Sequence, residues 1–318
     1  MDSKEIIYQL EDDVPAKENL AYAAQHVIFF VASAVVLPVV VGYALELSQA
    51  EVAFTLQRTF LLCGLISLFQ TAFGHRYPII DGPAGLWAGL FILMAGTMAS
   101  FGKTGASLRS ELEMGMIIAG GFIVLLVLLG LIKYIAKLFT PLVNGVLILL
   151  MVLQISPSIV KGMFGISTDH PTIDLTSTIL FFFTMIVILM LNMYGSPFVK
   201  SIATFLGVLV GWALAFVLKA AEVPNVLQNG IISLPKVFAW GTPTFDGGVT
   251  ISCIIAAFVL LSMTFASLNG MSETVGDKVD SKRMNKAFGV HGLATMLCGV
   301  FSTVAYMPFV SSTGVAGT

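Results

Sequence analysis

Two carboxylates one helical turn apart, Glu273 and Asp277, stand in Ser272-Glu273-Thr274-Val275-Gly276-Asp277 at the end of a long apolar run. If a helix continues through them they share a face, and their repulsion raises at least one pKa, as a proton-coupled site requires. The plainer reading of Glu273 is a helix-end carboxylate at an interface, and both readings stay open. Gln25-His26, near the start of the first apolar run, is a second polar pair, for which the alternative is an imidazole hydrogen-bonded to a neighbouring helix. Metal or triad chemistry finds no support. His26, His75, His170 and His291 are scattered, and Cys63, Cys253 and Cys298 lie in apolar runs without ligand spacing, which reads as buried free thiols. Asn144 and Asn192 read as interhelical hydrogen-bonding groups, and Gly207-x-x-x-Gly211 as a packing face.

The elements that carry these residues are membrane-length. Hydrophobic residues make up 57% of the 318-residue chain and charged ones only 11%, with a mean hydropathy of +0.94; soluble domains carry about 25% charge. The net charge of −2 gives no sign of a nucleic-acid partner. Uncharged stretches run 19–45, 59–74, 82–102, 114–132, 138–160, 175–199, 201–218, 247–272 and 287–318. A crossing helix needs about 20 apolar residues, so nine spans are expected, with the beginning of a tenth inside the last stretch. Arg58, near one end of the short second stretch, is expected to snorkel to the headgroups. Continuous apolar runs favour helices over a barrel. The polar, mostly acidic residues 1–19 do not resemble a signal peptide. Ten Lys and Arg fall on the side of the N-terminus, among them Arg76, Lys278, Lys282, Arg283 and Lys286, against six opposite, which predicts a cytoplasmic N-terminus.

Two places break the apolar pattern. Tyr77-Pro78-Ile79-Ile80-Asp81-Gly82-Pro83-Ala84-Gly85 enters the third span, and Tyr306-Met307-Pro308-Phe309-Val310-Ser311-Ser312-Thr313-Gly314 enters the tenth. Each reads as a short extended piece followed by a helix start. Transporters pair such broken spans around a midplane ligand, and spans three and ten are seven apart, as are spans one and eight, which carry His26 and Glu273. The alternative is a pair of re-entry loops at the membrane surface.

These motifs resemble the nucleobase–ascorbate (uracil/xanthine permease) family. Gln25-His26 and the apolar run to Pro38 resemble its first-span signature, and Glu273 to Asp277 its span-eight Glu-x-x-Gly-Asp/His motif. Pro78, Gly82 and Gly85 are similar to the segment before its third helix, Val304 to Thr318 to its span-ten motif, and Leu234-Pro235 to a dipeptide between spans seven and eight. The resemblance implies an all-α polytopic membrane protein of inverted seven-span repeats, with two short extended segments in spans 3 and 10. A core domain would move against a gate in an elevator-like cycle. The boundaries expected are a cytoplasmic segment 1–19, core spans 1–4 over 20–135, gate spans 5–7 over 136–220, an extracytoplasmic loop 221–246, and core spans 8–9 with the start of span 10 over 247–318.

By the same resemblance Glu273 hydrogen-bonds a nucleobase, and Gly85, Val310 and Ser311 complete the pocket with Ser33 of span one. A carboxylate that accepts two ring N–H groups suits a planar base. Glu273, Asp277 and His26 are the proton-coupling candidates. Ser311-Ser312 stands where many members carry Glu or Gln followed by Asn, and Asp277 matches purine-type members, so xanthine or another purine is expected, with uracil close behind. The expected protein is a proton symporter of the cell (inner) membrane. Its partners are the nucleobase, protons, the lipid bilayer and a second copy in a homodimer, with no nucleic acid, cofactor or metal, and it is not an enzyme. The family needs about four more spans, so the chain is expected to be truncated within the tenth. An anion carrier of the related fold would want a basic residue near the pocket instead of Glu273, and a non-transporting fragment is the other alternative.

Overall fold

The computed structural model describes residues 10, 12–166, 172–196, 199–200, 202–220 and 235–309. Each uncharged run carries a helix. The helices are α1 (Ala16–Ala34), α2 (Val36–Ala44), α3 (Gln49–Phe73), α4 (Gly85–Thr97), α5 (Gly105–Leu128), α6 (Ile132–Ile135), α7 (Pro141–Met163), α8 (Leu175–Tyr194), α9 (Ala203–Val217), α10 (Gly247–Val275) and α11 (Ser281–Val300). Two three-residue strands, β1 (Asp81–Pro83) and β2 (Tyr306–Pro308), complete the described fold. Among the described residues, Ala16–Ala44, Gln49–Phe73, Gly105–Leu128, Leu175–Tyr194 and Gly247–Val275 are long and apolar enough to cross a membrane.

Local chemistry sets the boundaries. Pro38 lacks the N–H that would bond to the Ala34 carbonyl, and the helix breaks at Val35 between α1 and α2. The Ser48–Glu51 capping box starts α3. Asp246 caps α10 by accepting from the Val249 N–H at 2.9 Å, and its carboxylate meets Lys103, itself 2.6 Å from Glu111. This salt link holds the Asp246 carboxyl below its ordinary pKa. Gly276, at φ 68°, closes α10 in the left-handed conformation.

Two compact units form, and each has its own packing. The first holds Ala34–Met151 and the chain from Pro235. Within it α5 packs against α10 and α11, α2 against α3 and α4, and α10 and α11 against β2. The α5–α11 contact is a backbone-close crossing: a Cβ on Gly120 would lie 2.5 Å from the Gly292 carbonyl oxygen and 2.6 Å from the Met296 nitrogen. The second unit holds Val14–Ser33 and Val152–Leu234, with α8 packed against α9.

Charges lie deeper than the uncharged runs suggested. Arg58 is only 7% exposed inside α3, so it does not snorkel. Its guanidinium donates to Thr55 Oγ1 at 3.0 Å and to the Ser302 carbonyl at 3.3 Å. Helix α5 likewise starts before its uncharged stretch and carries Glu113 fully buried. Internal partners let both helices keep a charge at depth.

Gly120→Ala must push backbone away from backbone, at a cost of about 1–3 kcal/mol. Thermal unfolding in detergent is expected to show a lowered midpoint for Gly120→Ala. Gly121→Ala, whose Cβ would meet nothing within 4 Å, is expected to leave it unchanged.

Candidate functional site

The two breaks in the apolar pattern find each other. β1 and β2 pair antiparallel, with Asp81 opposite Pro308, Gly82 opposite Met307 and Pro83 opposite Tyr306. The ladder extends on both sides, through Ala84 N–H to the Ala305 carbonyl at 2.9 Å and Phe309 N–H to the Ile80 carbonyl at 2.8 Å. Asp81, Gly82 and Pro83 are all buried, and Tyr306 is fully so. Extended backbone at membrane depth is tolerated only with its polar groups satisfied inside the protein, and the two pieces supply one another.

Helices α3 and α10 fasten this crossing. Ser67 Oγ on α3 accepts from the Asp81 N–H at 3.0 Å. Gln70, also on α3, donates to the Ala287 carbonyl at 3.1 Å and to Tyr306 Oη at 3.4 Å. Ser267 on α10 donates to the Pro308 carbonyl at 3.1 Å. Leaving β1, the chain enters α4 at Gly85, whose N-terminal N–H groups and dipole favour electron-rich ligand atoms. A Cβ on Gly85 would meet nothing within 4 Å. Glu273 lies on α10 six residues beyond Ser267, about 9 Å along the axis, and is exposed.

Asp277 has a different setting from the one expected. Gly276 ends the helix, so the two carboxylates do not continue on one helical face. Asp277 Oδ2 pairs with Arg283 at 2.5 Å and accepts from Tyr77 Oη at 3.2 Å. Arg283 thereby holds the Asp277 carboxyl below its ordinary value, opposite in direction to a repelling pair. The guanidinium also lies 4.0 Å from the centre of the Tyr77 ring and donates to the carbonyls of His75 and Arg76. The chain entering β1 is thus tied to the chain leaving Glu273.

His26 and Ser33 lie on α1, in the second unit. His26 Nδ1 donates to the Tyr22 carbonyl at 2.9 Å, and Nε2 is buried without a hydrogen-bond partner among the described residues. Ser33 is half-buried. Val310 and Ser311 lie outside the described residues.

Sequence reasoning missed the clamp on the approach to β2. Glu113 Oε1 accepts from the Ser302 hydroxyl and from the Trp240 N–H at 3.1 Å, while Arg58 donates to the Ser302 carbonyl. Ser302 is held at φ 53°, an uncommon conformation for a residue other than glycine. Two charges in runs separated by 55 positions gave no local signal. Asp81, fully buried with neither carboxylate oxygen hydrogen-bonded among the described residues, was visible only as part of a Pro/Gly-rich segment.

With the geometry in place, comparison with known proteins decides the family. A family profile described as "Permease family", of the uracil/xanthine permeases, matches residues 17–318. The chain belongs to the nucleobase–ascorbate (uracil/xanthine permease) family. YwdJ of Bacillus subtilis (strain 168) is 30% identical over 304 residues, covering 93% of this chain and 68% of its own length. The uric acid permease PucK of the same organism is 26% identical over 300 residues, covering 94% and 68%. The chain thus spans about two thirds of the length of these relatives. Among solved structures, the transmembrane domain of the cyanobacterium bicarbonate transporter BicA superposes with a TM-score of 0.61 at 13% identity, covering 93% of this chain and 76% of that one. That likeness concerns the fold alone. This permease is a multi-pass membrane protein and not an enzyme.

Two outcomes test the geometry. Glu113→Gln weakens the buried acceptor of the Ser302 hydroxyl and the Trp240 N–H and removes one of the negative charges that act on buried Arg58, a loss of about 1–3 kcal/mol, so a clear fall in thermal stability is expected. Adding Arg58→Met to it should restore part of that loss. His75, 1% exposed, has its pKa lowered to about 4 by burial, with Arg283 adding to the effect. The folded state refuses a proton that the unfolded chain takes up near pH 6.5. Stability is therefore full above about pH 6.5 and is lost as pH falls towards the folded value. His75→Gln should reduce the difference in unfolding free energy between pH 7.5 and 5 by about 1–2 kcal/mol.

Proposed function

We propose that this permease carries a purine nucleobase, xanthine or a close relative such as uric acid, across the cell membrane by proton symport. The observation that carries this reading is the buried β1–β2 crossing, packed against α10, in a chain of the nucleobase permease family. Glu273 offers two carboxylate oxygens to adjacent ring N–H groups. The backbone at Gly85, with Val310 and Ser311 of the span-ten motif and Ser33 of span one, completes the contacts to the base. The uric acid permease PucK among its relatives supports a purine over uracil.

The coupling proton is assigned to Glu273 or His26, the exposed carboxylate and the imidazole with an unpartnered Nε2. Asp277, tied to Arg283, serves better as a fixed link than as a carrier. Alternating access follows an elevator-like cycle: a core (20–135 and 247–318) moves against a gate (136–220) in a pair of inverted seven-span repeats. The N-terminus lies in the cytoplasm, and a homodimer is the working assembly.

Uptake of labelled xanthine, uric acid and uracil by cells expressing the protein as its gene encodes it tests the reading. Purine uptake is expected to exceed uracil uptake and to collapse on adding a protonophore. Glu273→Gln should lower purine uptake at least about tenfold, the worth of one charge-assisted hydrogen bond. Undiminished uptake in that variant removes Glu273 from the pocket, and protonophore-insensitive uptake removes the proton.

A further inference from the structure

Arg76, Lys278, Lys282, Arg283 and Lys286 line one open cleft of about 360 Å³, with Gly74 and Asp280 at its edges. The cations come from two connections far apart in sequence: the α3–β1 connection supplies Arg76, and the α10–α11 connection with the first turns of α11 supplies the rest. Both carboxylates nearby are committed. Asp277 is paired with Arg283, and Asp280 caps α11 by accepting from the Arg283 N–H at 2.6 Å. Among the described residues, Arg76, Lys278, Lys282 and Lys286 have no carboxylate within ion-pair distance.

This arrangement is costly as it stands. Lys282 and Lys286 are one helical turn apart on α11, where like charges repel. Arg76 is held at φ 59°, a conformation that few non-glycine residues adopt. A topological bias towards basic loops accounts for lysines on this side of the membrane. It does not require that residues on two connections some 200 positions apart converge on one concavity. The volume lies within the roughly 300–1,000 Å³ of small-ligand sites, and the lining supplies only N–H donors and positive charge apart from Asp280. Arg283 is already immobilised between Asp277, the Tyr77 ring and two backbone carbonyls, so the cleft has a rigid floor.

We propose that this cleft binds a phosphate group, carried by an anionic lipid headgroup or free in solution. The bound phosphate neutralises the lysines and bridges the approach to β1 to the turn that follows Glu273. Because the α3–β1 connection leads directly into β1 and the α10–α11 connection follows directly on Glu273, occupancy stiffens the entry to β1 and the end of α10 together.

The test is a binding measurement that needs no transport. Purified protein in detergent is titrated with fluorescently labelled phosphatidylglycerol, with phosphatidylcholine as the neutral comparison, and inorganic phosphate is then added as competitor at constant ionic strength. Wild type is expected to prefer phosphatidylglycerol. The triple variant K278Q/K282Q/K286Q should lose more than about tenfold in affinity, since each lysine near an anionic headgroup contributes a sizeable share. K133Q/K137Q, which removes two lysine charges outside the cleft, should bind as wild type does. Should the triple variant fail to fold, K286Q alone is expected to show a smaller loss in the same direction. Displacement by millimolar phosphate identifies free phosphate as a ligand, and resistance to it identifies the lipid headgroup. Equal binding of both lipids with no phosphate binding, or unchanged affinity in the lysine variants, overturns the proposal.

Discussion

Everything in the first unit depends on how two interrupted spans satisfy their backbone. An extended segment in hydrocarbon has N–H and C=O groups that each cost several kcal/mol if left unpaired. Here Ile80 to Ala84 and Ala305 to Phe309 form one short antiparallel ladder, so each segment is the other's partner. Neither strand is possible without its counterpart, although more than 200 residues separate them. The ladder delivers the chain to the start of α4, where Gly85 has open space beside it and the first-turn N–H groups have no helical acceptor.

The buried charges follow from that constraint. A three-residue ladder is too short to fix its own position, and side chains from the surrounding helices do so. Ser67, Gln70 and Ser267 hold the strands directly. Arg58 and Glu113 act one step back by gripping Ser302 from both sides, four residues before β2. A buried hydrogen-bonded cluster contributes modest net stability, but leaving one member without its partner is expensive, and such a cluster fixes geometry well. At the far end of α10, Arg283 plays the corresponding part, pinning Asp277 and the backbone before Tyr77.

Much of this was legible in the sequence, because membrane physics leaves a coarse code. Charge-free runs of span length marked the helices, and Pro/Gly density marked both breaks, which carry β1 and β2. Other features were illegible for identifiable reasons. Arg58 looked like a snorkelling residue because its partner carbonyl, at Ser302, is 244 positions away. Glu113 sat just outside an uncharged run, so its helix seemed to begin after it. The pairing of Asp277 with Arg283 depends on Gly276 ending the helix, whereas a continued helix would have stacked Asp277 under Glu273.

The central claim is that substrate sits where β1 hands over to α4, beside Glu273. Protection from alkylation tests it most directly. Gly85→Cys places a thiol at a position with open space around it, and the native cysteines Cys63, Cys253 and Cys298 are all buried. In membranes containing this variant, xanthine or uric acid should slow maleimide labelling several-fold in a saturable manner, and adding Glu273→Gln should abolish the protection. Labelling that proceeds at the same rate with and without purine, in a variant that still transports, would contradict the account.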